Sequence, residues 1–189
     1  MKRLTVLLLA ILAVIAAAVS ILVLARRNEG GKDMVNVSAK REGEMQVVSP
    51  VFKEGGDIPP QYTCKGQNLS PPLNFVSVPN DAKSLALIMH DPDAQSGDFV
   101  HWLMWDIPAG TGTMQANSVP VGAVQGVNSS NQNKYTGPCP PSGTHRYMFE
   151  LYALDNSLGL PADTGRDSLL KAMEGHVVEK FTLTGKFSA

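Results

Sequence analysis

Past residue 45 the apolar residues of this chain come in runs of strand length, each fenced by loops dense in proline and glycine. Residues 83–90 (KSLALIMH) form a short apolar run. Residues 99–107 (FVHWLMWDI) alternate, which puts Phe99, His101, Leu103, Trp105 and Ile107 on one predicted face. Residues 147–154 and 177–187 (VVEKFTLTGKF) read as two further strands. The loops between them are EGGDIPPQYTCKGQNLSPP, DPDAQSGD, IPAGTGT and GPCPPSGT. One short helix is expected over RDSLLKAME, capped by Asp163 or Thr164 and stopped at Gly175. Strands this scattered must pair non-locally, so the expected fold is mostly β, a sandwich or a Greek-key sheet.

Residues 4–25 carry no charge. At a rise of about 1.5 Å per residue, a helix of that length crosses a hydrocarbon core of roughly 30 Å. A cleaved signal peptide has a shorter apolar stretch, about 7–15 residues, and a small-x-small site. Ala16-Ala17-Ala18 offers small residues, but the apolar sequence runs past them. Residues 1–27 therefore read as a signal anchor and transmembrane segment, with cleavage and secretion as the alternative. Lys2 and Arg3 on one side balance Arg26 and Arg27 on the other, so the charge rule for orientation is weak here. Only three residues precede the run, which leaves the remaining chain on one side of the membrane. The expectation is a single-pass membrane protein with its domain outside the cytoplasm.

Residues 28–45 are polar without a period and read as a tether; residues 46–189 hold one domain. Setting aside the four basic residues before Asn28, 12 of the 16 remain against 17 acidic ones, a net of −5. That balance gives no footprint for nucleic acid. Cys64 and Cys139 are the two cysteines. In an exported domain they suggest one disulfide closing a loop of about 75 residues, which chain entropy values at about 4 kcal/mol. In a cytoplasmic domain they would instead be two unlinked thiols.

A polar cluster accompanies the stiffest loops. If the strands flanking DPDAQSGDF pair as a hairpin, Asp91 and Asp93 come close to His101. A third strand beginning at His145 would bring His145 and Tyr147 to the same rim, pointing the same way as Phe149. The prolines and glycines of GPCPPSGT would then form a pre-shaped wall that needs little ordering when a ligand binds. Each element also has a plain structural reading: Asp-Pro-Asp opens turns, Arg146 pairs with a carboxylate, and Tyr147 packs in a core. Neither G-x-S-x-G nor H-E-x-x-H occurs, so no catalytic residue, metal ligand or cofactor is assigned.

The segments DPDAQSGDFVHW and GPCPPSGTHRYMFELYALD resemble the phosphatidylethanolamine-binding protein family, in its bacterial and archaeal, Raf-kinase-inhibitor-like branch. The likeness extends to SPVFKEGGDIPPQYTCKGQNLSPPL and KAMEGHVVEKFTLTGKF, and so covers residues 48–187. It implies a large antiparallel sheet, a smaller second sheet, one or two short helices, and a conical pocket for phosphate-like anions or phospholipid head groups. Carried over by motif, the pocket would use Asp91, Pro92, Asp93, His101, Gly137, Pro141, His145 and Tyr147. It also implies that the loops carrying Cys64 and Cys139 lie near each other. Two departures stand out. Gln95 replaces the proline of the usual DPDAP, and no extended helix follows the last strand as in eukaryotic relatives. Head-group selectivity and kinase regulation are therefore not carried over.

Three functions follow as expectations. The first is a membrane-anchored binding module in which His101, His145 and Tyr147 hold a small anion while Asp91 and Asp93 orient the imidazoles. The second is an inhibitor or regulator of a protease or kinase. The third, a hydrolase, lacks an evident nucleophile.

Overall fold

The computed structural model describes residues 43–189. The expected span over residues 4–25, and the tether as far as residue 42, lie outside the described residues. Among the described residues no helix is long and apolar enough to cross a membrane. Met45 is fully buried, and its backbone N–H donates to Glu179.

Nine strands and one α-helix make up the described fold. In chain order the strands are β1 (Gln46–Val48), β2 (Gly56–Asp57), β3 (Leu73–Val76), β4 (Ser84–Asp91), β5 (Phe99–Pro108), β6 (Thr113–Met114), β7 (Val124–Gln125), β8 (Thr144–Leu154) and β9 (Val177–Ser188). Helix α1 (Arg166–Met173) precedes β9, and a 3-10 turn spans Pro60–Tyr62. A six-stranded sheet has the order β2-β9-β8-β4-β5-β7, and a three-stranded sheet the order β1-β3-β6.

The mostly β expectation and the two sheets hold, with three corrections. The four long strands run in space as β5-β4-β8-β9, two hairpins joined through their first strands, where a Greek key would return its fourth strand beside its first. The large sheet is not wholly antiparallel, because β2 pairs with β9 in parallel at its edge. Helix α1 starts after Gly165, without a side-chain cap from Asp163 or Thr164.

The long central strands are buried on both faces, which is why β4 reads as an unbroken apolar run. On one face Leu85, Leu87, Met89, Tyr147, Phe149 and Leu151 meet Val47, Leu73, Phe75 and Met114 of the small sheet. On the other, Ala86, Ile88, Leu103, Trp105 and Leu154 pack against Leu169 and Met173 of α1. Each such side chain contributes about 1.5–3 kcal/mol on burial.

Strand β5 does not keep the single face that its alternation predicts. Met89 pairs with Trp102 while His90 pairs with Val100, so His101 is an extra residue opposite that step. This bulge leaves His101 and Trp102 on the same side of the sheet. A second irregularity lies between Met104 and Ile107, where Asp106 adopts φ 51°. Its carboxylate accepts from the N–H groups of Leu158 and Gly159 at 2.7 and 2.9 Å, which holds the approach to α1. As a result Leu103 and Trp105 face α1, whereas Ile107 faces the small sheet.

Beneath α1 lies a charged network. His90 Nδ1 is 2.6 Å from Asp98, which also pairs with Arg166. Glu150 accepts from Lys180 and from the Tyr152 hydroxyl, both at 2.6 Å. His90 Nε2 lies 3.7 Å from Glu150, an ion-pair separation rather than a hydrogen bond.

Candidate functional site

Strand β8 pairs with β9 without a register shift from His145 to Phe149, so His145, Tyr147 and Phe149 share one face as the alternation predicts. Asp91 ends β4 beside it. His145 Nδ1 donates to Asp91 Oδ2 at 2.7 Å, and both side chains are almost wholly buried. The other Asp91 oxygen accepts the Asp93 N–H at 2.8 Å, a turn closed by the aspartate side chain. Asp91 therefore has one oxygen for the imidazole and one for its own loop.

His101 reaches the same cavity by way of the bulge. Its Nδ1 donates to the Thr136 carbonyl at 2.6 Å, and its own carbonyl accepts the Thr136 N–H at 3.0 Å. A carbonyl only accepts, so the Nδ1 of His101 must carry the proton. Burial, the largest effect, pushes the imidazole below its ordinary range; the Thr136 carbonyl and Asp91 oppose this without overcoming it. His101 is thus neutral near pH 7 and presents the lone pair of Nε2. Its ring packs edge-on against Tyr147, centroids 5.2 Å apart, and against Phe99 at 4.9 Å.

Asn128 holds the loop that supplies Thr136. It is 4 % exposed. Its amide donates to the Lys134 carbonyl at 2.8 Å and to Thr136 Oγ1 at 3.0 Å, and its oxygen accepts from the N–H groups of Ser130 and Gln132 at 2.9 and 3.0 Å. Side-chain posts of this kind replace the ladder bonds that an irregular buried segment lacks.

Tyr147 is 0 % exposed; the residue borders the cavity, and its hydroxyl is buried without a hydrogen-bond partner among the described residues. Burial first, then the nearby Asp91 carboxylate, raises its phenol well above the ordinary range, so it stays a neutral donor. A buried hydroxyl left unpaired costs about 1–3 kcal/mol, a cost that a ligand oxygen in the cavity would remove.

The GPCPPSGT loop forms the wall through Gly137, Cys139 and Pro141. It is zipped to the loop after the 3-10 turn. Tyr135 donates its hydroxyl to the Tyr62 carbonyl at 2.6 Å, Gly137 its N–H to Asn68 Oδ1 at 2.7 Å, and Cys64 its N–H to the Pro138 carbonyl at 3.1 Å. A side chain at residue 137 would sit 2.7 Å from the Tyr62 carbonyl oxygen, so the close approach requires glycine. Cys64 and Cys139 form a disulfide across the same seam, Cα atoms 5.4 Å apart.

The cavity so enclosed holds about 480 Å³. Of the motif residues, Asp91, His101, Gly137, Pro141, His145 and Tyr147 line it. Pro92 and Asp93 do not. Instead of orienting an imidazole, Asp93 grips Arg146, accepting from its backbone N–H and Nε at 2.9 Å and from Nη2 at 2.7 Å. That guanidinium holds the Asp93 carboxyl at about 2. Sequence reasoning missed Phe99, Ser96, Ser130, Thr136 and Asn128. Among the described residues neither lysine nor arginine lines the cavity, and Asp91 is its one carboxylate.

The phosphatidylethanolamine-binding protein family matches residues 48–188, and the chain belongs to that family. It is 46% identical over 148 residues to a UPF0098 protein of Methanothermobacter thermautotrophicus, covering 76% of this chain and 98% of that one. A UPF0098 protein of Chlamydia pneumoniae is 45% identical over 148 residues, covering 76% and 98% of the two chains. Among solved structures, a phosphatidylethanolamine-binding protein homologue of Chlamydia trachomatis superposes with a TM-score of 0.75 at 37% identity, covering 78% of this chain and 99% of that one. YbcL of E. coli gives 0.73 at 27% identity, covering 77% and 99%.

Proposed function

We propose that this chain is a binding protein whose His101–His145 cavity takes a phosphate-type oxyanion together with a proton, and that it works outside the cytoplasm, held to the membrane by residues 1–27. The buried, unpartnered Tyr147 hydroxyl carries the first part of this reading. Among the described residues the cavity has no fixed cation, so an anion needs a donor that appears with a proton. His145 supplies it: with Nδ1 committed to Asp91, uptake of a proton at Nε2 makes that atom a donor into the cavity. His101 does the reverse and offers Nε2 as an acceptor, which suits a ligand that keeps an acidic O–H, such as a phosphate monoester monoanion. The groups that bear on this step are Asp91, His101 and Tyr147 in the cavity, with Asp93 and Arg146 paired beside it.

Binding rather than turnover is favoured because, among the described residues, no hydroxyl or thiol is hydrogen-bonded to either imidazole. The disulfide supports the compartment, since such bonds persist where the surroundings are oxidising. Mass spectrometry of small molecules that co-purify with the full chain tests the ligand class. A free phosphate monoester and a short-chain phosphatidylethanolamine, titrated separately, distinguish a soluble ligand from a lipid head group. Turnover of phosphoesters or peptides by purified protein would reject the non-enzymatic reading. Protease added to spheroplasts should digest the domain; protection until lysis would reject the orientation.

A further inference from the structure

A second cavity, of about 360 Å³, is lined by chain neighbours of residues that line the first. Lys134 and Tyr135 line it, whereas the next two residues, Thr136 and Gly137, line the His145 cavity. The β5 bulge divides its residues in the same way: Trp102 belongs to the second cavity and His101 to the first. The volume falls within the range of about 300–1,000 Å³ usual for small-molecule sites.

The internal hydrogen bonds determine what this cavity presents. The Trp102 indole, which can only donate, is 2.6 Å from Gln125 Oε1. The Gly137 N–H, also only a donor, is 2.7 Å from Asn68 Oδ1. Ser70 Oγ accepts the Asn117 N–H at 3.1 Å. Three acceptors are thus committed to the protein itself. What remains toward the cavity is the amide nitrogens of Gln125 and Asn68, the Ser70 hydroxyl proton and the Lys134 ammonium, together with the side-chain amides of Gln67 and Asn117, which can both donate and accept. Ser118 is the complement, since its proton goes to the Gln115 carbonyl at 2.7 Å and its oxygen is left to accept. Among the described residues Lys134 is the one cation in the lining, and no carboxylate is present there. Leu69 and Tyr135 add apolar surface.

We propose that this second cavity binds a carboxylated saccharide. A sugar ring spreads several acceptor oxygens around its edge for the amides and Ser70, offers hydroxyl protons to Ser118, and lays its C–H face on Leu69 and Tyr135. Its single carboxylate meets Lys134. A dianionic phosphate would find one cation for two charges, and a cationic ligand would find no counter-charge. The inference is independent of the phosphate reading, because the two cavities share no lining residue.

Calorimetry of the full chain with glucuronate, and with glucose as the uncharged analogue, tests it. Glucuronate should bind saturably and glucose about tenfold more weakly, as loss of one charge-assisted hydrogen bond implies. Lys134 is exposed, so Lys134→Ala should fold and lower glucuronate affinity about three- to tenfold without changing phosphate affinity. Gln125→Glu keeps the acceptor for Trp102 but replaces the free amide with an anionic oxygen, and should weaken glucuronate by more than about tenfold. His145→Ala should leave glucuronate binding intact. No saturable binding of glucuronate, equal affinity for glucose, indifference to Lys134→Ala, or loss on His145→Ala would each overturn the assignment.

Discussion

Nδ1 of His145 lies 2.7 Å from Oδ2 of Asp91, although 54 residues separate them along the chain. The contact sets the tautomer of one imidazole and supplies a counter-charge for its protonated form. Asp91→Asn keeps an oxygen to accept from Nδ1 and removes the charge. Phosphate monoester affinity at pH 6 should then fall about tenfold with little change in melting, the size of a lost charge-assisted bond. Equal affinity of variant and parent by calorimetry would make the pair purely structural.

Asn128 fills no part of the cavity but anchors the segment that carries Thr136. Asn128→Ala leaves the Ser130 and Gln132 N–H groups and the Lys134 carbonyl short of partners. It should cost about 2–3 kcal/mol in urea unfolding and weaken phosphate binding, because the Thr136 carbonyl no longer holds His101. A stable variant with unaltered binding would show that the loop shapes itself.

The disulfide closes a 75-residue loop. Reduction should lower the unfolding free energy by about 4 kcal/mol, measured by denaturant titration with and without reductant. The three hydrogen bonds along the same seam should keep the reduced domain folded. Alkylation of two thiols in non-reduced protein from its native compartment would contradict the bond.

The network under α1 gives stability a pH optimum. Burial works against the Glu150 carboxylate, but the nearby His90 imidazole and hydrogen bonds from Lys180 and Tyr152 outweigh it and hold the group at about 2, below the ordinary 4.5. Its contribution is present above that ordinary value and is lost as pH falls toward about 2. Burial also works against the charged form of His90, yet Glu150 and Asp98 raise it above 6.5. That contribution is present below about 6.5 and disappears as pH rises through the folded value. Thermal melting should therefore peak between these limits. Glu150→Gln should flatten the acid side and His90→Gln the alkaline side; an unchanged profile in both would place the pH dependence elsewhere.

The loops and strands that frame the cavity were legible because proline, glycine and alternation act locally. Residues 83–107 announce the hairpin, and GPCPPSGT announces the wall. The bulge at His101 was not legible, since it depends on which residue of β4 each residue of β5 meets. An unbroken alternation would have carried His101 with Leu103 and Trp105 to the α1 face. Asp93 was expected to orient an imidazole, with a turn role and an Arg146–carboxylate pair as the plain alternatives; that Asp93 and Arg146 pair with each other was not legible, because 53 residues separate them. Asn128 sits in a polar loop with nothing local to distinguish it from solvated neighbours. Its role arises only from burial.

The most direct test of the central claim is calorimetry of the full chain with glycerol phosphate from pH 5.5 to 8.5. A phosphate monoester loses its second proton near pH 6, and an imidazole without its second proton no longer donates from Nε2, so both changes weaken binding in the same direction. Affinity should be highest at the acid end and fall about tenfold or more by pH 8. Proton uptake on binding should be visible as a dependence of the measured heat on buffer ionisation. His145→Ala should lose about ten- to a hundredfold at pH 6, and His101→Ala a smaller amount. His176→Ala, an exposed residue paired with Asp155 away from the cavity, should bind as the parent does. Binding that is independent of pH and unaffected by His145→Ala would contradict the account.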